Sequence, residues 1–478
     1  MNPDPVNPDQ PGHMTAEQFR VRGHEVVDWL ADYYERIEDL PVLSQVEPGA
    51  VRAQLPEHPP EDPEPFEAVM ADVETIIVPG VTHWQSPNFF AFFPGNSSGP
   101  SVLGELLSAG LGVQGMLWAT SPACTELETH MADWMLELCG LPDRFRSDGP
   151  GGGVIQDSAS SSSLCALLAA RVRAAGASAS AELVAYSSTD GHSSIAKAAR
   201  IAGLADEQLR LVPVDAERAM LVDALADMVA EDVVAGRRPF FVTATTGTTS
   251  TTALDPVEAV AEIAGRHGMW LHVDGAFAGS AAVCPELRFV NAGVDSADSY
   301  TFNPHKWLLT NFDCSLLYVA DRGPLLDALS ITPEYLRNAA SDSGDVIDYR
   351  DWQVPLGRRF RALKLWFVLR HYGATGLRAH IRAHVAAAKE LVGWVEEHPD
   401  FELAAPAPLS LVCFRHVGGD DVNRAVIERC NADGAMYLTH TVIDGRFTLR
   451  LAIGSARTER RHVRAAWEHL VDAAAELA

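Results

Sequence analysis

Hydrophobic positions along the chain follow three successive rhythms. Residues 1–14 are polar and Pro-rich, the pattern of a disordered tail. From Thr15 the spacing turns helical, with Phe19, Val26, Val27, Leu30, Tyr33, Tyr34 and Ile37 recurring at three- and four-residue intervals, and Thr15 with Gln18 spells a capping box at its start. A Pro- and acid-rich run over 56–67 then reads as an extended connector between two helices. From about Gly151 apolar runs of strand length alternate with helical stretches. Strands are predicted at 183–187, 209–214, 240–245, 270–273, 299–302 and 315–319, and helices at 194–202, 221–235 and 256–267. Such alternation implies an α/β fold, a mainly parallel sheet covered by helices, with ligands at the C-terminal ends of its strands. After Arg361 come long Ala-rich helices, short strand-like runs at 409–414 and 447–452, and a last helix over 459–478, the makings of a smaller α+β domain.

Bulk properties narrow the function. A chain of 478 residues can bury a large core and hold two or three domains. The formal net charge of −27 argues against nucleic acid and disfavours an anionic membrane surface, since both need a surplus of Lys and Arg. The seven cysteines form no C-x-x-C pair, so zinc and dithiol chemistry lack ligands, and reduced thiols in a cytoplasm are expected. The start lacks the basic and apolar segments of a signal peptide, and no uncharged apolar stretch is long enough to span a bilayer.

Three short motifs invite over-reading. Gly110, Gly112 and Gly115 spell G-x-G-x-x-G, but a dinucleotide fingerprint needs a preceding strand, and the residues before it look helical. Gly95, Ser97 and Gly99 spell G-x-S-x-G, yet Pro100 follows at once and no Asp and His stand out as triad partners for a hydrolase. His380 and His384 share a helix face without an intervening Glu or a third ligand, so a solvated basic face is expected and no metal site is assigned.

Four other segments carry complementary chemistry. GGGVIQDSASSSS runs from a Gly- and Ser-rich loop into a helix, where free N–H groups and small hydroxyls can cradle a phosphate. WLHVDGAF ends an apolar strand on Asp274, whose carboxylate needs a cation or hydrogen-bond donors; a structural salt bridge serves as well as a protonated pyridine. SYTFNPHKW sets Lys306 among aromatic residues, where a desolvated amine loses proton affinity and becomes nucleophilic. AYSSTDGHSS puts His192 between a strand and a helix, where an imidazole can cap the helix or stack on a flat ring. Together they supply a phosphate cradle, an amine, an acid for a ring nitrogen and a stacking group, which is what pyridoxal phosphate (PLP) requires.

With EPGAVRAQLP, PGVTHWQSPNFFAFFP, TSPACTELET, NPHKWLLTNFDCS and DYRDWQVPLGRRFRALKLWFVLRHYG added to these segments, the chain resembles the group II PLP-dependent amino-acid decarboxylases from about Phe19 to its end, and among them those acting on aromatic amino acids. The resemblance implies a fold-type I PLP-dependent transferase-like architecture. An N-terminal helical, dimerising segment (1–98) would precede a large seven-stranded PLP-binding domain (99–363) and a small C-terminal domain (364–478). It also implies a homodimer with active sites at the interface. Lys306 would carry the cofactor, Asp274 would pair with the pyridinium nitrogen and His192 would stack on the ring. Ser158, Ala159, Ser160 and Asn303 would hold the phosphate, Thr249 and His305 would contact the cofactor, and Ala276 would lie beneath it. His305 and Arg450 would line the substrate site.

The resemblance further implies a proton-donating tyrosine on a loop, matched by Tyr335 in TPEYLRN, where related aldehyde synthases carry phenylalanine. The expected reaction is decarboxylation of tryptophan, tyrosine, phenylalanine or DOPA to an arylalkylamine and CO2. The alternatives are an aromatic aldehyde synthase or an aminotransferase, and, from another class, a serine hydrolase using Ser97. Trp84, Phe89, Phe90, Phe92, Phe93 and Phe312, with Pro94, could supply a flat apolar wall. Gly357 leaves room for an indole without demanding one. Gln114 and Met116 replace an apolar residue and a phenylalanine of animal relatives, at an edge of the pocket that the family assigns to the neighbouring subunit. Gln114 could hydrogen-bond a ring hydroxyl or an indole N–H. VDGAF, with Gly275 and Phe277, also departs from the more usual VDAAY.

Overall fold

A computed structural model of the protein describes residues 13–175, 182–331, 340 and 346–477. The predicted capping box is present: Thr15 accepts from the Gln18 N–H and the Gln18 side chain returns to Thr15, opening helix α1 (Ala16–Arg36). Residues 55–65 connect two short helices without regular structure, as their Pro content requires.

Seven strands form the main sheet: β1 (Gly152–Gln156), β2 (Leu183–Ser188), β3 (Leu209–Val212), β4 (Arg238–Thr245), β5 (Trp270–Asp274), β6 (Ser299–Phe302) and β7 (Ser315–Val319). Their order is β1-β7-β6-β5-β4-β2-β3, with β7 alone antiparallel to its neighbours. The expected mainly parallel seven-stranded sheet is therefore present. Six of its strands coincide with predicted apolar runs, and all of these but the edge strand β3 are covered on both faces. Val184, Tyr186, Leu271 and Val273 point into one core cluster, and Leu183, Ala185, Trp270 and Leu317 into the other.

Strand β1 was read as loop, and its glycines explain both the misreading and the fit. A side chain on Gly152 would meet the Trp352 ring, and one on Gly153 would meet Ala132 and the Tyr318 ring, each at 2.8 Å. Bulk supplied by neighbours replaces bulk on the strand, so the hydrophobic signal is missing from its own sequence.

Helices α2 (Gly99–Leu111), α3 (Pro122–Cys139), α4 (Ala159–Ala175), α5 (Ser193–Ile201), α6 (Val222–Val234) and α7 (Val257–His267) precede or wrap the sheet. A long helix, α8 (Arg361–Glu397), breaks at Gly373, where φ is +60°. It leads to an antiparallel sheet of β8 (Phe401–Leu403), β9 (Leu411–His416), β10 (Thr439–Ile443) and β11 (Arg446–Ala452), covered by α9 (Asp420–Ala432) and α10 (Arg460–Leu477). The Gly110–Gly112 motif falls at the C-terminal end of α2, where Gly112 caps with φ +60°, so it cannot begin a dinucleotide-binding helix.

Two expectations are corrected. His384 does not lie on a solvated face: it is buried on α8, where its Nδ1 accepts the indole N–H of Trp307 at 3.0 Å, because a buried indole needs an acceptor. Phe89 and Phe90 do not line a cleft. Both are fully buried, Phe90 within the core cluster between the β8–β11 sheet and its helices. Among the described residues no cluster of His, Cys, Asp and Glu could hold a metal, and no helix is long and apolar enough to cross a membrane.

The glycine argument is open to a paired test. Gly153→Ala should overpack β1 by about 1–3 kcal/mol and lower the thermal unfolding midpoint. Gly265→Ala on α7, where an added Cβ meets nothing within 4 Å, should leave the midpoint level or raise it.

Candidate active site

Strands β1, β2, β4, β5 and β6 run in one direction, so the segments that leave their C-terminal ends meet at one edge of the sheet. Ser158 follows β1, His192 follows β2, Thr249 follows β4, Asp274 ends β5, and Asn303 to Lys306 follow β6. This edge is where an α/β sheet binds ligands.

Asp274 is 3% exposed, and one of its carboxylate oxygens accepts the Ala276 N–H at 3.0 Å. Lys306 lies in a single helical turn, Pro304–Trp307, with its Nζ 5.6 Å from the centre of the Phe93 ring. Burial pushes the lysine pKa below its ordinary value, against the opposing pull of Asp274. Both charges reach His192. Enclosure by the cleft lowers that imidazole's pKa, Asp274 raises it and Lys306 lowers it further. His192 caps α5: its Nδ1 accepts the Ser194 N–H at 3.1 Å, which leaves the ring exposed to the cleft with its proton on Nε2.

Ser158 caps α4 by accepting the Ser161 N–H at 3.3 Å, and Ala159 and Ser160 form the first turn of that 17-residue helix. The Asn303 side-chain oxygen accepts from Ser315 at 2.6 Å, which fixes its amide so that the NH2 group faces away from Ser315. Ala276 is partly buried, and its carbonyl accepts the Asn303 N–H at 3.0 Å, joining the loops after β5 and β6. Arg450 reaches across from β11 and donates to the carbonyls of Thr249 at 2.6 Å and Ser250 at 3.1 Å and to the Thr439 hydroxyl at 2.9 Å. Its guanidinium also stands over Phe93, 5.6 Å from the ring centre. His305 is buried, and its Nδ1 accepts the Cys314 N–H at 2.9 Å. Burial, reinforced by Lys306, brings its pKa down to about 3, so the ring is neutral with its proton on Nε2.

The aromatic wall divides into three parts. Phe93 stacks on Phe277 at 3.8 Å, and Phe277 on Trp307 at 4.6 Å, forming a buried floor beside Lys306 with Pro94 packed against Gly454. Trp84 and Phe92 stack at 5.7 Å and stay 42% and 46% exposed, backed by Tyr437. Phe312, 68% exposed, leans on His305. Met116 is partly buried, and its carbonyl accepts the Arg350 N–H at 3.1 Å. Gln114 and Gly357 line a separate cavity of about 330 Å³ that none of Lys306, Asp274 or Phe93 borders. Tyr335 lies outside the described residues. Sequence reading did not assign Phe277 or Ser315 a place in the site. Phe277 at least stood out as a departure from the family pattern, whereas Ser315 carries no signal beyond its place in an apolar run.

The donor set suits PLP. A helix N-terminus flanked by hydroxyls suits a phosphate dianion, a buried carboxylate suits a pyridinium N–H, a desolvated amine suits an aldehyde, and an exposed imidazole face suits a planar ring. The serine-hydrolase alternative finds no such support: the Ser97 N–H is tied to Gln85, and Ser97 lies in the loop that leads into α2.

The pyridoxal-dependent decarboxylase conserved domain matches residues 48–417. A phenylacetaldehyde synthase of Arabidopsis thaliana is 49% identical, with 97% of each chain covered. Tryptophan decarboxylase 2 of Oryza sativa subsp. japonica is 47% identical over 97% of this chain and 96% of its own, and an aromatic-L-amino-acid decarboxylase of Sus scrofa is 47% identical over 97% and 98%. Among solved structures, Oryza sativa TDC with PLP and tryptamine superposes with a TM-score of 0.95 at 41% identity, covering 99% of both chains. Tryptophan decarboxylase of Catharanthus roseus in complex with L-tryptophan gives a TM-score of 0.92 at 44% identity, over 97% of this chain and 99% of that one. The site's donor set and these likenesses agree, and the chain belongs to the pyridoxal-dependent decarboxylase family.

Proposed function

We propose that this PLP-dependent carboxy-lyase converts an aromatic L-amino acid to its arylalkylamine and CO2, with Lys306, Asp274 and His192 as its chemical centre. The observation that carries the assignment of roles is the convergence of Lys306, Asp274, His192 and the Ser158 helix start on one strand edge, beside the Phe93 floor. Bound PLP supplies an electron sink for the pair left behind when CO2 departs.

The chain's own groups do the rest. Lys306, with its proton affinity lowered by burial, would hold the cofactor through its amine. Asp274 holds a proton on the pyridine nitrogen by its buried negative charge. Ser158, Ser160, the N–H groups of the first α4 turn and the Asn303 amide bind the phosphate. Neutral His305 offers an Nε2–H toward cofactor and substrate. Phe93, Phe92 and Trp84 exclude water and flank the aromatic side chain. Tyr335 delivers a proton to the substrate Cα after CO2 has gone.

The alternative outcome is an aldehyde. It is favoured by the likeness to a phenylacetaldehyde synthase and opposed by a tyrosine, rather than a phenylalanine, at position 335.

The active unit is a homodimer. Helix α1 buries no residue within its own chain, and Leu103, Leu106, Leu107 and Leu111 of α2 are 49–60% exposed, an apolar stripe that an isolated chain would leave in water. The Gln114–Gly357 cavity then belongs to the partner's active site, which accounts for its distance from Lys306 in one chain. A cytoplasmic setting fits seven buried, unbridged cysteines.

Three experiments test these roles. The purified protein should be yellow, and borohydride should bleach it while fixing the cofactor covalently to Lys306; Lys306→Ala should form no such adduct and be inactive. A protein that turns over tryptophan, tyrosine, phenylalanine and DOPA without releasing CO2 would refute the assignment. Tyr335→Phe should cut amine formation by roughly 10²–10⁴-fold and divert turnover to aldehyde, ammonia and peroxide with consumption of dioxygen. Mixed dimers of Lys306→Ala and Gly357→Trp chains should regain activity that neither homodimer has, since one of their two sites combines an intact lysine with an intact wall. No recovery would mean that each site is built within one chain.

A further inference from the structure

We infer that Arg218 is a positioning residue for the cofactor site: it clamps Asp190 and thereby fixes the turn from which the His192 imidazole faces the cleft. This inference rests on the reading that His192 packs on the PLP ring.

Arg218 lies in the turn between β3 and α6 with φ +69°. Glycine occupies that left-handed region without strain, and a residue with a long side chain occupies it at a cost. The turn itself does not need the guanidinium. Asp215 closes it, accepting the Glu217 and Ala219 N–H groups at 2.9 Å each, while its own N–H donates to the Ala219 carbonyl at 2.8 Å. Asp255 holds the next residue by accepting the Met220 N–H at 2.8 Å. Glycine would suit this backbone better than arginine, so the strain points to a task for the side chain.

The guanidinium meets two carboxylates. Nε donates to one Asp190 oxygen at 3.0 Å and Nη2 to the other at 2.7 Å, the two-pronged fit of guanidinium to carboxylate. Nη1 donates to Asp444 at 2.8 Å. The two partners differ in setting. The Arg218 and Asp190 side chains are 16% and 8% exposed, whereas Asp444, in the two-residue turn between β10 and β11, is 74% exposed. An exposed ion pair contributes little, so the enclosed Asp190 pair carries most of the effect.

Asp190 stands two residues before His192, in the segment that joins β2 to α5. The start of that segment is tied to the sheet, where the Thr189 N–H donates to the Val212 carbonyl at 2.8 Å. Its end is His192, whose cap on Ser194 sets the rotation of the ring. Between clamp and cap stands Gly191, folded so closely onto β2 that a Cβ there would collide with the Ser187 side chain. The cap therefore orients the imidazole, and the Arg218–Asp190 pair sets how far the turn stands off the sheet. A flat group attracts another only at contact distance, and a gap of about 0.5–1 Å forfeits roughly a quarter to a half of the attraction. Arg218 thus acts on the cofactor through His192 without touching it.

The test is a double-mutant cycle read on cofactor binding. Equilibrium dialysis of the holoenzyme against PLP gives a dissociation constant without turnover. Arg218→Gly, which suits φ +69°, should raise that constant about tenfold, the scale of one charge-assisted hydrogen bond, and weaken the visible circular dichroism of the bound cofactor. In a His192→Ala background the same change should raise it by no more than about twofold, because the ring that Arg218 positions is gone. Arg218→Lys, which keeps the charge and a single contact, should fall between Arg218→Gly and the wild type, and Asp444→Asn should match the wild type. An equal effect of Arg218→Gly in both backgrounds, as a merely structural role would give, overturns the inference, and so does a loss in Asp444→Asn as large as in Arg218→Gly. A His192→Ala protein that binds PLP as tightly as the wild type overturns the reading of His192, and the inference with it.

Discussion

A carboxylate at the end of a central strand covered on both faces is expensive to keep charged, and much of this architecture is arranged around that cost. Asp274 is nearly inaccessible, and within the protein its side chain receives one backbone N–H. Its negative charge acts on Lys306 and on His192, raising the pKa that burial lowers in each. The three groups are thus electrostatically linked without forming a contact salt bridge among the described residues. A pyridinium N–H would complete the set, as a cofactor centre requires.

Around this centre, rigidity is unevenly distributed. Phe93, Phe277 and Trp307 stack at interplanar angles of 11°, and Trp307 is tied through His384 to the long helix α8. That floor joins the large sheet to α8 by ring packing and by the Trp307–His384 hydrogen bond. Two arginines join the two sheets by further hydrogen bonds. Arg450 fastens β11 to the loop after β4, and Arg218 pairs with Asp190 beside His192 and with Asp444 between β10 and β11. The antiparallel sheet β8–β11 is therefore clasped to the two loops that carry His192 and Thr249.

The sequence made some of this legible and hid the rest for identifiable reasons. Strands β6 and β7 match their predicted bounds because an apolar run buried on both faces has no other reading. Asp274, Lys306 and His192 were legible because a charged or polar side chain at the end of such a run is conspicuous. Strand β1 was not, since its packing volume is supplied by Trp352, Ala132 and Tyr318. The role of His384 depends on an indole 77 positions away, and the Arg358–Glu128 pair on residues 230 apart, separations over which no periodic pattern carries information. The apolar positions of α1 were legible as a helix face, but their partners were not, because Tyr33 meets His83 and Tyr34 lies under Arg457, far away along the chain.

These differences separate chemistry from specificity in physical terms. The groups assigned to the cofactor stand at the ends of strands or on the first turns of helices, where a continuous hydrogen-bonded sheet fixes them. The groups assigned to the aromatic ring stand on connecting segments: Phe92 at φ +52° before α2, Phe312 in an exposed turn, Gln114 after the end of α2. Connecting segments tolerate substitution at little cost to the core, so a departure such as Gln114 can alter ring preference while leaving the Asp274–Lys306 centre intact. Its segment is held from within, through a guanidinium buried against Glu128. The Gln114 segment is thereby anchored to strand β1, which leads to Ser158. Changes in substrate preference and in cofactor retention should therefore be correlated when Glu128 or Arg358 is altered, and independent when Gln114 alone is changed.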